Sequence, residues 1–283
     1  MLLSVVTRTY RRPLLLARAA RSIGASRVGE MEWLVVDDDA DIGEDTRRIA
    51  AEASLETGIP TRTLCSRRRG RTAAANLGLV EAAGHFIHFH DDDDTVEPDF
   101  YRTVLDFFAA EPSFGAARVM CSRIYEELSD NAVRFLKRQL VYPERRTVSL
   151  LDAAEVFAYP PIGSVFDRRT LLDIGGFDEH FDVGEDYEML LRFLVKADMG
   201  TIPRLLASVH VRQGAEGAYA NSPIERRFEE EQAAFVNAML RRDLDTGKFG
   251  LGALLALGRL ARRNRGLIDY LDAARKRFSR RLP

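Results

Sequence analysis

Four short apolar runs, each followed by one helix-length segment, occupy the first 110 residues and leave few folds open to this chain. The runs cover residues 2–7, 33–36, 61–65 and 86–89. The segments between and after them, 13–26, 45–57, 72–83 and 98–110, have helical composition. Pro13 opens the first, Gly58-Ile59-Pro60 stops the second and Gly84 ends the third. Strands separated by single helices build βαβ units, so an α/β fold with a mostly parallel central sheet flanked by helices is expected. Ligands bind such sheets beyond the carboxyl ends of the strands. Two of the four runs end there in acidic clusters, Asp37-Asp38-Asp39 and Asp91-Asp92-Asp93-Asp94.

Beyond residue 115 the pattern loosens. Strands are expected at 116–125, 133–142, 163–167 and 205–211, a short helix at 150–158, and a helix over 185–197 after the turn Gly175-Gly176-Phe177-Asp178-Glu179. From a soft boundary near Ser222 the pattern is helical to the end. With 283 residues and 46% hydrophobic content, the chain can bury a core without a disulfide or metal staple. Cys65 and Cys121 lie in apolar runs, which argues for free buried thiols in a reducing compartment. A net charge of −2 carries no signature of nucleic-acid binding. No run of about 18 apolar residues argues for a membrane span. The opening residues read as a strand rather than a secretory signal.

Four adjacent carboxylates at 91–94 repel and raise one another's pKa, and a divalent cation with oxygen ligands relieves the repulsion. Such a cation can bridge a diphosphate and neutralise it as a bond breaks. A solvated acidic loop is the alternative, and a place directly after a buried strand disfavours it. The 37–39 cluster can accept hydrogen bonds from a base or ribose, or cap a turn and helix. Arg67-Arg68-Arg69-Gly70-Arg71 precedes a helix and suits phosphate, or is a solvated turn. Asp186, in Glu185-Asp186 at a helix start, can be an ionised acceptor for a hydroxyl proton or an ordinary helix-terminal acid. His88 and His90 share one strand face and could ligate a metal, although neutral, hydrogen-bonded histidines are the simpler reading. His210, near a glycine-containing loop, is the better candidate for an extra metal ligand.

Ser4-Val5-Val6-Thr7-Arg8-Thr9-Tyr10, Val35-Val36-Asp37-Asp38, Ala74-Ala75-Asn76-Leu77-Gly78, Gly84-His85-Phe86-Ile87, Asp91-Asp92-Asp93, Pro98, Gly175-Gly176-Phe177-Asp178-Glu179 and Glu185-Asp186…Arg192 follow one another in a particular order and spacing. Together they resemble the family 2 glycosyltransferases of the GT-A fold, over roughly residues 2–212. There are departures. Arg8 stands where the family often has Pro, Arg11 where it often has Asn, and Asp39-Ala40 replaces the usual Gly-Ser.

The resemblance implies a GT-A domain over 1–221, with a nucleotide-binding half to about 110 and an acceptor-binding half from 111, followed by a helical extension over 222–283. It implies inverting transfer from a nucleoside-diphosphate sugar, UDP-linked by preference, to a glycan, lipid-linked or protein acceptor. Donor contacts fall to Thr7, Thr9, Asp38, Arg71, Asp91 and Asp92. Asp91 and Asp93, with His210, would hold Mn²⁺ or Mg²⁺. Asp186 would be the general base. A sugar nucleotidyltransferase normally needs a glycine-rich loop after strand 1, where this chain has Arg8-Thr9-Tyr10-Arg11-Arg12. A non-catalytic relative would be expected to lose an acid at 91, 93 or 186, and all three are present.

Arginine far exceeds lysine, which points to a GC-rich bacterial genome and hence to surface polysaccharide or glycoconjugate synthesis. The loop 212–222 is expected to order over the donor. In the tail, Phe249, Leu251, Leu254, Leu255 and Leu257 have helical spacing, and nine basic residues against two acids follow from Arg259. This stripe either packs on the protein or on a second subunit, or meets an anionic membrane on the cytoplasmic face.

Overall fold

The computed structural model describes residues 2–67, 69–129, 132–140, 147–155, 160–181, 184–220, 224–247, 250–258 and 260. In chain order the elements are β1 (Leu3–Thr9), α1 (Pro13–Ala25), β2 (Met31–Asp37), α2 (Glu44–Thr57), β3 (Thr61–Cys65), α3 (Arg71–Glu81), β4 (Phe86–Phe89), β5 (Thr95–Val96) and α4 (Phe100–Ala110). They continue as β6 (Ala116–Ser129), β7 (Ala132–Leu140), β8 (Thr147–Val148), α5 (Leu150–Glu155), β9 (Ser164–Asp167), α6 (Arg168–Asp173), α7 (Glu185–Leu194), β10 (Met199–Gln213) and α8 (Ile224–Thr246).

The sheet order is β3-β2-β1-β4-β9-β6-β10-β5, with β7 paired to β6 and β8 to β10. The β1, β2, β3 and β4 ladders are parallel, as the strand–helix alternation requires. β9 runs antiparallel between β4 and β6, and β6 and β10 are again parallel. The sheet is therefore mixed, with its parallel half over the first 90 residues. The chain moves outward from β1 through β2 to β3, then returns to the other side of β1 as β4. That reversal opens a crevice between the carboxyl ends of β1 and β4.

Local chemistry explains the elements that position this crevice. Pro13 sits in the first turn of α1, and Leu15, Leu16, Ala19, Ala20 and Ile23 form its buried stripe. Acids at Glu44 and Asp45 suit the start of α2, and Gly58 ends it in the left-handed region at φ 71°. The bulge in β10 falls at Pro203, which cannot donate to a ladder. Three short elements, β5, β8 and α6, are too brief to leave a periodic trace in the sequence. Helix expectations at 156–158 and strand expectations at 141–142 lie outside the described residues.

Part of the C-terminal stripe packs on the protein, while Leu257 is exposed. Phe235, Val236 and Met239 of α8 and Leu255 join the core cluster of Tyr187 and Leu190, with Leu251 and Leu254 against it. Asp243 Oδ2 accepts from the N–H groups of Gly250 and Ala253, tying residues 250–258 back to α8. Phe249 and the basic stretch 261–283 lie outside the described residues. No described helix is long and apolar enough to cross a membrane.

Gly78 lets α3 lie directly on the sheet. A Cβ there would come 2.3 Å from Val6 Cγ1 and 3.3 Å from Val36 Cγ2, both on rigid strands. Gly78→Ala should gain about 1 kcal/mol of helix propensity and lose about 1–3 kcal/mol to overpacking. A thermal melt is expected to show a lower midpoint than the unsubstituted protein.

Candidate active site

A cleft of about 600 Å³ lies over the carboxyl ends of β1, β2 and β4. Arg8, Thr9, Tyr10 and Arg12 enter it from the end of β1, Asp38 from β2, and Asp91, Asp93 and Asp94 from β4. Arg71 and Asp186 come from the first turns of α3 and α7, and His210 and Arg212 from β10.

The acidic run makes a turn that sorts its four carboxyls. Asp91 is gripped by Arg8, whose Nε and Nη2 donate to its two oxygens at 2.7 and 2.6 Å. Asp93 receives Arg212 at 2.8 Å and Arg12 at 3.3 Å. Burial pushes Asp91 up, but Arg8, with Arg71 and Arg12, more than offsets it and lowers the pKa to about 2. Asp93 is also lowered, because Arg12 and Arg212 outweigh its burial. Asp92 turns inward to Thr9 Oγ1 at 2.6 Å and to Arg12. There burial raises its pKa to about 7. Asp94 is raised by burial and by the charges of Asp93 and Asp91, and accepts from the His210 N–H. Two ionised carboxylates thus face the cleft.

The 37–39 cluster divides between both of its readings. Asp37 is buried and accepts from Asp39 N, Gly43 N and Thr46 Oγ1 at 3.1, 3.0 and 2.7 Å, so it holds the turn into α2. Asp38 lines the cleft, where Ser66 Oγ and Gly70 N donate to it. Asp39 is held by Arg11 outside the cleft.

On the opposite side, Gly184 takes the left-handed conformation at φ 77° and starts α7. Asp186 in its first turn is half-buried and accepts from Tyr187 N at 2.8 Å. Burial and the neighbouring Glu185 push its pKa up to about 6 against the pull of Arg71 and Arg8. Glu185 is fully buried and ion-paired with Arg71, with Arg8 at 3.6 Å. Asn76 of α3 clamps the preceding turn through Phe177 N and O at 2.8 and 2.9 Å. Arg192 braces the same turn through the carbonyls of Ile174 and Gly176 while pairing with buried Glu188.

The sequence profile of the family described as glycosyl transferase family 2 matches residues 4–170, more than half of the chain. The chain belongs to that family. Its mixed sheet flanked by helices is the GT-A fold that the resemblance implies. The O-antigen biosynthesis protein RfbC of Myxococcus xanthus is 25% identical over 225 residues, 74% of this chain and 16% of RfbC. The chain spans a quarter or less of the curated relatives it matches. Among solved structures, S. aureus TarS 1–349 in complex with UDP-GlcNAc has a TM-score of 0.64 at 19% identity, covering 85% of this chain and 67% of that one. The mannosyltransferase PcManGT of Pyrobaculum calidifontis, in complex with GDP-Man and Mn²⁺, has a TM-score of 0.56 at 17% identity, covering 92% and 79%.

In this family member Asp38, Arg71, Asp91, Asp93, Asp186, Thr9 and His210 reach the cleft as the sequence suggests. Two expected donor contacts do not. Thr7 is fully buried and accepts from Trp33 Nε1 at 2.8 Å, because it lies two residues short of the carboxyl end of β1, beneath the cleft. Asp92 is buried by the turn described above. His210 lies on the cleft wall, but Nδ1 donates to Glu126 at 2.8 Å and Nε2 accepts from Thr95 at 2.9 Å, so neither nitrogen is turned to a metal. His88 is a neutral core histidine between Tyr101 and Ile162 O, its pKa pushed down by burial to about 3. His90 donates from Nδ1 to Asp91 O, and burial lowers it to about 4. Of the basic loop, Arg68 lies outside the described residues and Arg71 alone lines the cleft. Gly217, Ala218 and Ala220 of the expected lid also line it, with Tyr219 O tied to Arg212 Nε at 2.9 Å. Residues 221–222 lie outside the described residues.

Sequence reasoning missed Arg8, Arg12 and Arg212. Their only signal was the need of the acidic run for counter-charges.

The division of the 37–39 cluster is testable. Asp37→Ala removes the acceptor for two backbone N–H groups and should cost about 1–3 kcal/mol of stability in denaturant titration. Asp38→Ala, which loses only Ser66 Oγ and the Gly70 N–H at the cleft edge, should cost less stability than Asp37→Ala and weaken nucleoside-diphosphate binding by calorimetry.

Proposed function

We propose that this glycosyltransferase moves a sugar, with inversion, from a nucleoside-diphosphate sugar to a hydroxyl of a surface glycan or glycoconjugate. The observation that carries the reading is that Asp186 shares one cleft with Asp38, Arg71, Asp91 and Asp93. A UDP-linked donor is the first choice, in line with the UDP-GlcNAc bound by TarS, and the likeness to RfbC supports a surface-polysaccharide acceptor.

In this reading Asp38 accepts hydrogen bonds from the base or ribose, and Arg71 stands toward the diphosphate. Asp91 and Asp93 are ionised hard-oxygen donors and suit Mg²⁺ or Mn²⁺. Among the described residues no group of three or more His, Cys, Asp or Glu forms a metal cage. That fits a cation bound by one or two carboxylates and completed by substrate phosphates and water. When bound, such a cation would neutralise charge developing on the diphosphate. Asp186 takes the proton from the acceptor hydroxyl as it attacks the anomeric carbon in line, and diphosphate leaves on the other face. Positioning within the cleft and neutralisation by its arginines supply the remainder of the acceleration.

A general base works ionised, so activity carried by Asp186 is present above its pKa of about 6 and lost below it. The profile of kcat/KM against pH should therefore fall on its acid side with a midpoint near that value. Asp186→Asn should retain donor binding and lose about two to four orders of magnitude in kcat. Near-normal turnover of this variant on the true acceptor would remove Asp186 from the role.

A further inference from the structure

Arg8 lines the cleft at the end of β1, where the resembled family often has Pro. The parallel register between β1 and β4 sets Val6 against Phe89, so Arg8 and Asp91 emerge level with each other two residues later. Arg8 is 6% exposed. Its Nε and Nη2 occupy both oxygens of Asp91, and its Nη1 points toward Glu185 at 3.6 Å and the Arg71 carbonyl at 3.5 Å. A guanidinium stays charged at any working pH. The positive charge at this carboxylate is therefore permanent, and a fork bound side-on to both oxygens is the strong form of the ion pair.

A divalent cation approaching Asp91 meets that fork. It must share or take a carboxylate oxygen that already accepts from Arg8, and it does so beside a like charge with little water between them. A donor diphosphate entering the same cleft meets a cation already in place. We propose that Arg8 is a resident counter-cation that competes with the divalent ion for Asp91 and binds the donor diphosphate directly. The second half of this proposal rests on the donor reading above. The first half concerns only Arg8, Asp91 and the ion.

Mn²⁺ alone, titrated into the full chain by calorimetry or electron paramagnetic resonance, isolates the competition. Wild type should bind it weakly. Arg8→Gln should bind it at least about tenfold more tightly, the scale on which a residue touching a ligand tunes metal affinity. The gain should vanish in Arg8→Gln/Asp91→Asn. Arg8→Lys keeps the charge but cannot bridge both oxygens, so it should fall between the two. It also guards against a Gln variant that does not fold, as judged by circular dichroism.

UDP and GDP titrated in EDTA give the second readout. Wild type should bind one of them without metal, and Arg8→Gln should lose at least about tenfold, the loss expected when one charge-assisted hydrogen-bond partner is removed. Unchanged or weaker Mn²⁺ binding in both variants overturns the competition. Equal nucleotide affinity in EDTA for wild type and Arg8→Gln overturns the direct diphosphate contact. If wild type binds no nucleoside diphosphate with or without Mn²⁺, the donor reading fails and the direct contact with it, while the Mn²⁺ titration still decides the competition.

Discussion

The ion pair between Arg8 and Asp91 joins the ends of β1 and β4, and the chemistry of the cleft depends on what it neutralises. Four carboxyls in succession, next to the buried Glu185, cannot all remain ionised away from water without counter-charge. The fold supplies that charge from three separate places: Arg8 and Arg12 at the end of β1, Arg212 on β10 and Arg71 at the start of α3. Arg18 adds a further tie, donating to the Asp93 carbonyl at 2.6 Å and pairing with Glu126 at 2.9 Å. Pairing decides the ionisation pattern. Asp91 and Asp93 stay charged in the cleft, while Asp92 beneath it and Asp94 on its wall are pushed toward the neutral form.

The same network connects the two halves of the molecule. Arg71 belongs to a helix of the parallel half, yet its partner Glu185 opens α7 beside Asp186. Asn76, one turn further along α3, holds the Gly175-Gly176-Phe177 turn that leads toward α7. Gly176 is in the left-handed region at φ 68°, and a Cβ there would lie 2.5 Å from Asn76 Oδ1. A single helix therefore lines the cleft with Arg71 in its first turn and holds the turn leading toward Asp186 with Asn76 further along. This arrangement gives Asp186 a fixed place relative to the acidic run even though 90 residues separate them.

The helices after β10 follow a different logic. α8 and residues 250–258 place Phe235, Val236, Met239 and Leu255 in the core cluster that includes Tyr187 and Leu190 of α7, with the Phe235 ring 5.7 Å from that of Tyr187. Arg242 comes within 3.8 Å of Glu188, the acid that Arg192 also holds. The apolar stripe that could have met a membrane is thus largely covered by the protein itself, and it supports the helix that carries Asp186.

Much of this was legible in the residues. Hydrophobic runs separated by single helices dictate the parallel half, because strand and helix periods differ and each Gly or Pro boundary is local. The acids at strand ends, Asp38, Asp91 and Asp93, could be placed at a cleft from topology, whereas Asp186, at a helix start, was assigned through the resemblance. Tertiary structure decided the rest. Asp37 and Asp38 are identical in type and adjacent, and only their directions out of β2 make one a cap and the other a cleft residue. Thr7 and Asp92 carry the right chemistry but turn inward, while His210 reaches the cleft with both nitrogens occupied. Arg8, Arg12 and Arg212, which pair directly with the acidic run, lie about 80 to 120 residues away from it in sequence. No spacing rule links them, because an ion pair depends on distance in space, and that distance exists only once β1, β4 and β10 share one sheet.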